Sequence, residues 1–263
     1  MNRLSLWAFS ILVLVFLLAP ILIVILMSFS ASASLEFPPR GLSLQWYAKY
    51  FSSAAWLGAT WVSFKVALGT TALATVLGTL ASFGLVRGNF PGKPLLYALV
   101  LSPLVIPGVV VAVALYLLFG RLGLVGSPFG LVLAHTTIAL PFVIVNVSIS
   151  LKTFDRNIER AAMSAGADPL RTFRYVTLPL IRPGFVAGAL FAFMASFDEL
   201  IIAIFLAGRN ATTLPKRMWD SVLLETDPVI AAISTLLIVG TLIFLALATG
   251  VRQRGSAAAD SNA

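Results

Sequence analysis

Long apolar blocks separated by short polar stretches run the length of the chain. Six can be read directly, at approximately 4–27, 57–86, 95–119, 129–150, 184–207 and 229–251. A membrane helix needs about 20 predominantly apolar residues, so the pattern predicts an all-α protein with six transmembrane helices. The second block is longer than a ~30 Å hydrocarbon core requires and calls for tilt or an interfacial turn. The first follows Met1-Asn2-Arg3, and Ala31-Ser32-Ala33 beyond it has the small-residue pattern of a signal-peptidase site. Signal-peptide cores run to about 7–15 residues, so an uncleaved first span is expected instead. Pro103, Pro107 and Gly108 interrupt the third block and predict a kink or break there, serving either gating or packing.

The polar stretches set the orientation. Arg3, Arg87, Lys93, Lys152, Arg156, Arg160, Arg171, Arg174, Arg182, Arg252 and Arg254 fall on one side, eleven in all. Arg40, Lys49, Arg121, Arg209, Lys216 and Arg217 make six on the other, and Lys65 lies inside the second block. Positive loops stay in the cytoplasm, so both termini are expected inside. The aromatics of Leu44-Gln45-Trp46-Tyr47-Ala48-Lys49-Tyr50-Phe51 predict a short helix at the outer interface. The expected organisation is one transmembrane domain over 1–251, with a cytoplasmic loop at about 155–182 and a disordered tail over 252–263. No convincing internal repeat is present.

Composition agrees with the pattern. Of 263 residues, 59% are hydrophobic and 11% charged, against roughly 25% charged in soluble domains. The formal net charge of +8 reads as a topology signal rather than a nucleic-acid patch. Cysteine is absent and there is one histidine, which leaves no basis for a disulfide, a thiolate nucleophile or a zinc site. No metal or catalytic residue is expected, and no Gly-x-Ser-x-Gly elbow or His-Glu-x-x-His motif is present. The nearest approach to a phosphate-binding loop, Gly88 to Lys93, has one residue too few between its glycines and Pro94 after the lysine. This chain is therefore not expected to hydrolyse ATP.

The 151–183 loop is the most informative stretch. Helix-forming residues run to Gly166, and Asp168-Pro169 then offers an N-cap followed by proline at the first helical position. A second short helix over 170–176 is expected to stop at Leu178-Pro179, giving two helices hinged at Gly166 as a bracket beneath the bilayer. Ala161-Ala162, Gly166 four positions after Ala162, Val176 ten further on, and Leu178-Pro179 resemble the EAA loop of permease subunits in bacterial binding-protein-dependent ABC importers. One position departs from that family's pattern: its leading glutamate falls at Arg160. Glu159 precedes it by one residue, about 100° around a helix, and cannot simply replace it. The resemblance implies the type I ABC importer permease fold, in the bacterial inner membrane. It also implies a second permease chain (most simply a different, homologous one), two ATPase subunits carrying ATP and magnesium, and an external substrate-binding protein. No cofactor is implied on this chain.

Ser196-Phe197-Asp198-Glu199, Leu214 to Trp219, Glu225-Thr226-Asp227-Pro228, Phe37-Pro38-Pro39 and Trp46-Tyr47 further resemble the spermidine/putrescine permeases, which implies polyamine uptake. The same branch contains permeases for other small solutes, and an ATP-independent cation carrier is the rival class. A polyamine needs carboxylates for its amines and aromatic faces for its methylenes. Asp198 or Glu199 would supply the first, and Trp46 or Trp219 the second. An intramembrane carboxylate is costly unless paired or facing water. The alternatives are that the acidic pair fixes helix contacts, through Lys65 for example, and that the tryptophans anchor at the interface. On a continuous fifth helix, Glu199 falls on a small stripe with Gly188, Ala192, Ala195 and Ala203. Asp198 falls on a bulky face with Phe191, Met194, Ile202 and Phe205. His135 is expected to hydrogen-bond a neighbouring helix, with a proton relay as the alternative. Asp220, Glu225 and Asp227 are expected outside, guiding cations, contacting a binding protein or simply solvated.

Overall fold

The structure, a computed structural model, describes residues 3–34, 36–224 and 227–243. All regular structure among them is helical. The chain falls into two compact units, one made of the chain up to Leu57 and from Met218 onward, the other of Gly58–Arg217.

In the first unit, α1 (Arg3–Ser28) is a single helix whose side chains are exposed along most of its length, Trp7, Phe9 and Phe16 among them. Its end is tied to α2 (Gln45–Ser52), the short aromatic helix expected from the sequence. Ser28 Oγ lies 2.7 Å from the Tyr47 hydroxyl, and Trp46 Nε1 donates to the Ser30 carbonyl at 2.8 Å. An apolar helix, α12 (Val229–Ile243), begins the sixth expected span. The remainder of that span and the tail lie outside the described residues.

The second unit is organised around α6 (Pro128–Thr153). Ser127 caps it, accepting from Gly130 N, and Pro128 occupies its first turn, the arrangement in which proline costs no hydrogen bond. Buried residues occur on every side of α6, the mark of a central helix. On one side lies α3 (Ala54–Arg87), 34 residues long. Thr70 and Ser82 of α3 donate to the α6 carbonyls of Val132 and Ile144, at 3.3 and 3.2 Å. On another side lies α9 (Leu178–Phe197), whose buried positions Gly184, Gly188, Ala192 and Ser196 recur every four residues. Such small-residue rows let backbones approach closely in membranes, where packing replaces the hydrophobic effect as the attraction between helices. A Cβ at Gly184 would stand 2.4 Å from the Asn146 carbonyl oxygen, and one at Gly188 3.0 Å from Val143 Cα. Hydroxyls within the spans mostly bond back to their own helix, as Thr71, Thr136 and Thr137 do, because lipid offers no other partner.

One expectation is sharpened and two are corrected. The third block is two helices, α4 (Lys93–Leu101) with a 3-10 turn to Leu104, and α5 (Gly108–Arg121), bent 103° at Pro107. The predicted break is there, and it is sharper than a kink. Second, Leu178-Pro179 does not stop a helix. After α7 (Asn157–Ser164), α8 (Pro169–Thr172) passes through a π turn at Phe173–Thr177 directly into α9. Proline ordinarily clashes with the carbonyl four residues back; the widened turn ahead of Pro179 rearranges those bonds and lets the rod continue. Third, the fifth block is not one helix from Gly184 to Ala207. Pro169–Phe197 forms a 29-residue rod, which breaks at Asp198 before α10 (Ile201–Leu206). The helix α11 (Leu214–Leu224) follows. Four described helices are thus long and apolar enough to cross a membrane, with the bent pair a fifth candidate.

Candidate functional site

The break after Phe197 creates the cleft that holds both acidic residues. Nothing in Ser196 to Ile201 is a helix breaker by type; the break is made by hydrogen bonding. Glu199 Oε2 accepts from the backbone N–H of Ile202 at 2.8 Å and of Ala203 at 3.2 Å. It therefore serves the start of α10 as a capping group, where a carboxylate also meets the positive end of the helix. Its side chain is only 11% exposed. Behind it, fully buried His135 places Nδ1 2.9 Å from Ser196 Oγ and Nε2 4.0 Å from Glu199 Oε2. The expected contact between His135 and a neighbouring helix is made, to α9.

Asp198 is different. It is exposed, and its carboxylate makes no hydrogen bond or ion pair among the described residues. It lines an open cleft of about 540 Å³ together with Glu199, Phe142, Phe191, Met194 and Ile138. The rings of Phe142 and Phe191 lie nearly parallel, 6.2 Å between centroids at 18°. The assignment of the two acidic residues to a small stripe and a bulky face assumed a continuous helix, and the break at Asp198 brings both to one cleft. Gly188 and Ala192 face α6, whereas Phe191, Met194, Ala195, Asp198 and Glu199 share the cleft. Lys65 does not pair with either carboxylate; it is exposed, with its ammonium 5.3 Å from the Trp61 ring centroid.

The aromatic partners expected from the sequence, Trp46 and Trp219, both belong to the first unit. Trp46 is buried within the first unit, its indole bonded to Ser30 and its ring 5.5 Å from the Lys49 ammonium. Lys49 in turn pairs with buried Asp227 at 2.8 Å, and Asp227 also accepts from Val229 N. Asp227 is thus neither a free guide for cations nor merely solvated. Trp219 is partly exposed on α11, while Glu225 lies outside the described residues. The aromatic faces beside the carboxylates are Phe142 and Phe191. The second was signalled by its spacing of seven before Asp198, two turns of helix; the first was not signalled.

At the other end of the rod lies the loop singled out by its spacing. Gly166 takes φ +93°, a conformation that favours glycine, and turns the chain between α7 and α8. Asp168 caps α8, its Oδ1 accepting from Arg171 N at 2.9 Å. Ala161 and Arg160 are exposed, Ala162 and Val176 are half-buried, Leu178 packs against the core of α6 and α9, and Pro179 is exposed at the start of α9. Glu159 turns inward. It accepts from Arg87 Nη2 at 2.7 Å and from the Thr177 hydroxyl, so it joins the end of α3 to α7 and to the π turn. The Arg87 guanidinium also lies over the rings of Phe83 and Phe154. That partnership spans 72 residues of sequence and carries no local signal.

Among the described residues, no group of acidic or histidine side chains suits a metal ion. A family model described as "Binding-protein-dependent transport system inner membrane component" matches residues 74–255. The chain is 38% identical to the putrescine transport system permease protein PotI of Escherichia coli (strain K12), covering 94% of this chain and 93% of that protein. It is 31% identical to the spermidine/putrescine transport system permease protein PotC of the same strain, covering 88% and 87%. A bacterial ABC transporter involved in importing the acidic polysaccharide alginate contains a chain that shares this fold, with a TM-score of 0.75 at 16% identity over 94% of this chain and 96% of that one. The helical architecture, the spacing from Ala161 to Pro179 and these similarities together establish that the chain belongs to the family of binding-protein-dependent transport system inner membrane components.

Proposed function

We propose that this chain is a permease subunit of an ABC importer for polyamines, a transport component rather than an enzyme. The names of the relatives at 38% and 31% identity, a putrescine and a spermidine/putrescine permease, support the substrate class. The observation that carries the reading onto this chain's own residues is the unpaired Asp198 carboxylate beside the Phe142 and Phe191 rings in one open cleft. An alkyl ammonium finds there a charge partner and a face for cation–π contact. Six spans with both termini in the cytoplasm fit the eleven-to-six division of Lys and Arg and put the 155–182 loop inside. A second permease chain, two ATPase subunits supplying ATP and magnesium chemistry, and an external binding protein complete the machine. The bracket of α7 and α8 transmits movement of the ATPases to the rod of α9, and the cleft opens alternately to the two sides of a bacterial inner membrane.

The test is uptake of labelled putrescine and spermidine by cells expressing the whole transporter, with Asp198→Asn alongside. ATP-dependent uptake that falls at least roughly ten-fold in the well-expressed variant is the expected result, in keeping with loss of the charge partner of the bound amine. Absence of uptake of either amine by an otherwise active wild-type complex overturns the substrate. Undiminished uptake in Asp198→Asn overturns the role of the cleft.

A further inference from the structure

We infer that the outer surface of α7 and α8 docks an ATPase subunit whose facing groove carries carboxylates, with Arg160 as the central cation of the contact. The inference rests on the reading of the 155–182 loop as the ATPase-facing surface and specifies the chemistry of the partner there.

The sign of the charge follows from which way Glu159 points. It is the one acidic residue of α7, and it is buried against Arg87 and Thr177, so it offers nothing to a partner. The outward face carries Arg156, Arg160 and Met163, spaced four and three apart and therefore on one side of the helix. Arg160 has a single hydrogen bond, from Nη1 to Asn157 Oδ1 at 3.3 Å. Around it, Lys152, Arg156, Arg171 and Arg174 are also exposed, against two exposed carboxylates, Asp155 and Asp168. Both carboxylates are engaged: Asp155 accepts from Asn157 N, and Asp168 caps α8 and pairs with Arg171 Nε at 3.2 Å. Lys152, Arg156, Arg160 and Arg174 thus make no ion pair among the described residues.

Apolar side chains lie among these cations: Met163 is 46% exposed, Leu170 74% and Tyr175 70%. Arginine and methionine around an apolar centre are what protein interfaces enrich, and guanidinium groups favour bidentate carboxylate partners. A layer of anionic lipid headgroups would pair the cations but offer no shaped contact to Met163 and Leu170, so a protein groove fits better.

The transporter is purified with its ATPase subunits in detergent and in nanodiscs of phosphatidylcholine with and without phosphatidylglycerol, as wild type and as Arg160→Glu, Arg160→Ala and Arg160→Lys. ATPase retained through gel filtration and the rate of ATP hydrolysis are measured, with the thermal stability of the permease as a folding control. Arg160→Glu is expected to lower retention at least roughly ten-fold, since like charges across an interface repel strongly. Arg160→Lys is expected to retain most of it, and added salt to weaken the wild-type complex. Equal retention by wild type and Arg160→Glu overturns the polarity while leaving the ATPase reading in place. A wild-type complex that retains ATPase only when phosphatidylglycerol is present assigns the cations to lipid and overturns the proposal. A permease that retains no ATPase under any condition overturns the underlying reading as well.

Discussion

Two adjacent carboxylates, Asp198 and Glu199, do different work because one finds backbone amides and the other finds none. Glu199 is spent on the amides of Ile202 and Ala203, so replacing it acts on α10. Glu199→Ala is expected to cost about 0.5–2 kcal/mol of stability, the range for losing a capping side chain, seen as a lower melting temperature of the purified permease. Asp198→Asn, by contrast, is expected to leave the melting temperature near wild type. Matching losses of stability in the two variants would show that both acids are structural. The presence of an acidic pair within an apolar run was legible in the sequence; the division of labour was not. It depends on where the helix ends, and no residue type at 196–201 announces an end. Arg87 shows the same limit: its charge was read as a loop cation, while its partner Glu159 is fixed by the approach of α3 to α7.

At the scale of elements, the contact of α6 with α9 depends on an absence of side chains. Gly184 lies against the backbone of Asn146 and the side chain of Ser150, so Gly184→Leu must push the helices apart. A loss of about 1–3 kcal/mol or more is expected, as for overpacked cores, read as a fall in thermal unfolding temperature. Gly84 of α3 meets nothing within 4 Å, and Gly84→Ala is expected to be neutral or to add up to about 1 kcal/mol through helix propensity. If the two substitutions lower stability equally, the close approach is not what holds α9. Gly188 and Ala192 were read from the sequence as part of a small-residue stripe with Ala195, Ala203 and Glu199; in the structure they belong to a row that starts at Gly184. Its true continuation is Ser196, which turns the row toward His135 on α6. Proline was misleading in the same way at Pro179, because a π turn upstream can absorb it.

At the scale of the molecule, the rod Pro169–Phe197 joins the α7–α8 bracket to the Asp198 cleft. Its 29 residues span about 43 Å at 1.5 Å per residue. A rigid element of that length can carry a displacement from one end to the other without a chain of side-chain relays. An ATP-driven importer and a secondary cation carrier differ here in energy source. Uptake by membrane vesicles loaded with ATP is expected to persist when a protonophore collapses the membrane potential, and to vanish when the external binding protein is omitted. Uptake that follows the potential and ignores ATP would favour the carrier.

Membrane residence, the positions of most spans, the bend at Pro107 and the turn at Gly166 between α7 and α8 follow from the sequence by itself. They arise from local causes: runs of apolar side chains, caps, and the backbone limits of proline and glycine act within a few residues of where they are written. Tertiary structure decided which way Glu159 points, where α9 ends, which aromatic rings stand beside Asp198, and that Trp46 is buried with its indole on the Ser30 carbonyl. Each of these depends on a partner far away in sequence. In a low-dielectric interior, a polar group's role is set by the nearest group able to pair with it, and only the packing of helices determines which group that is.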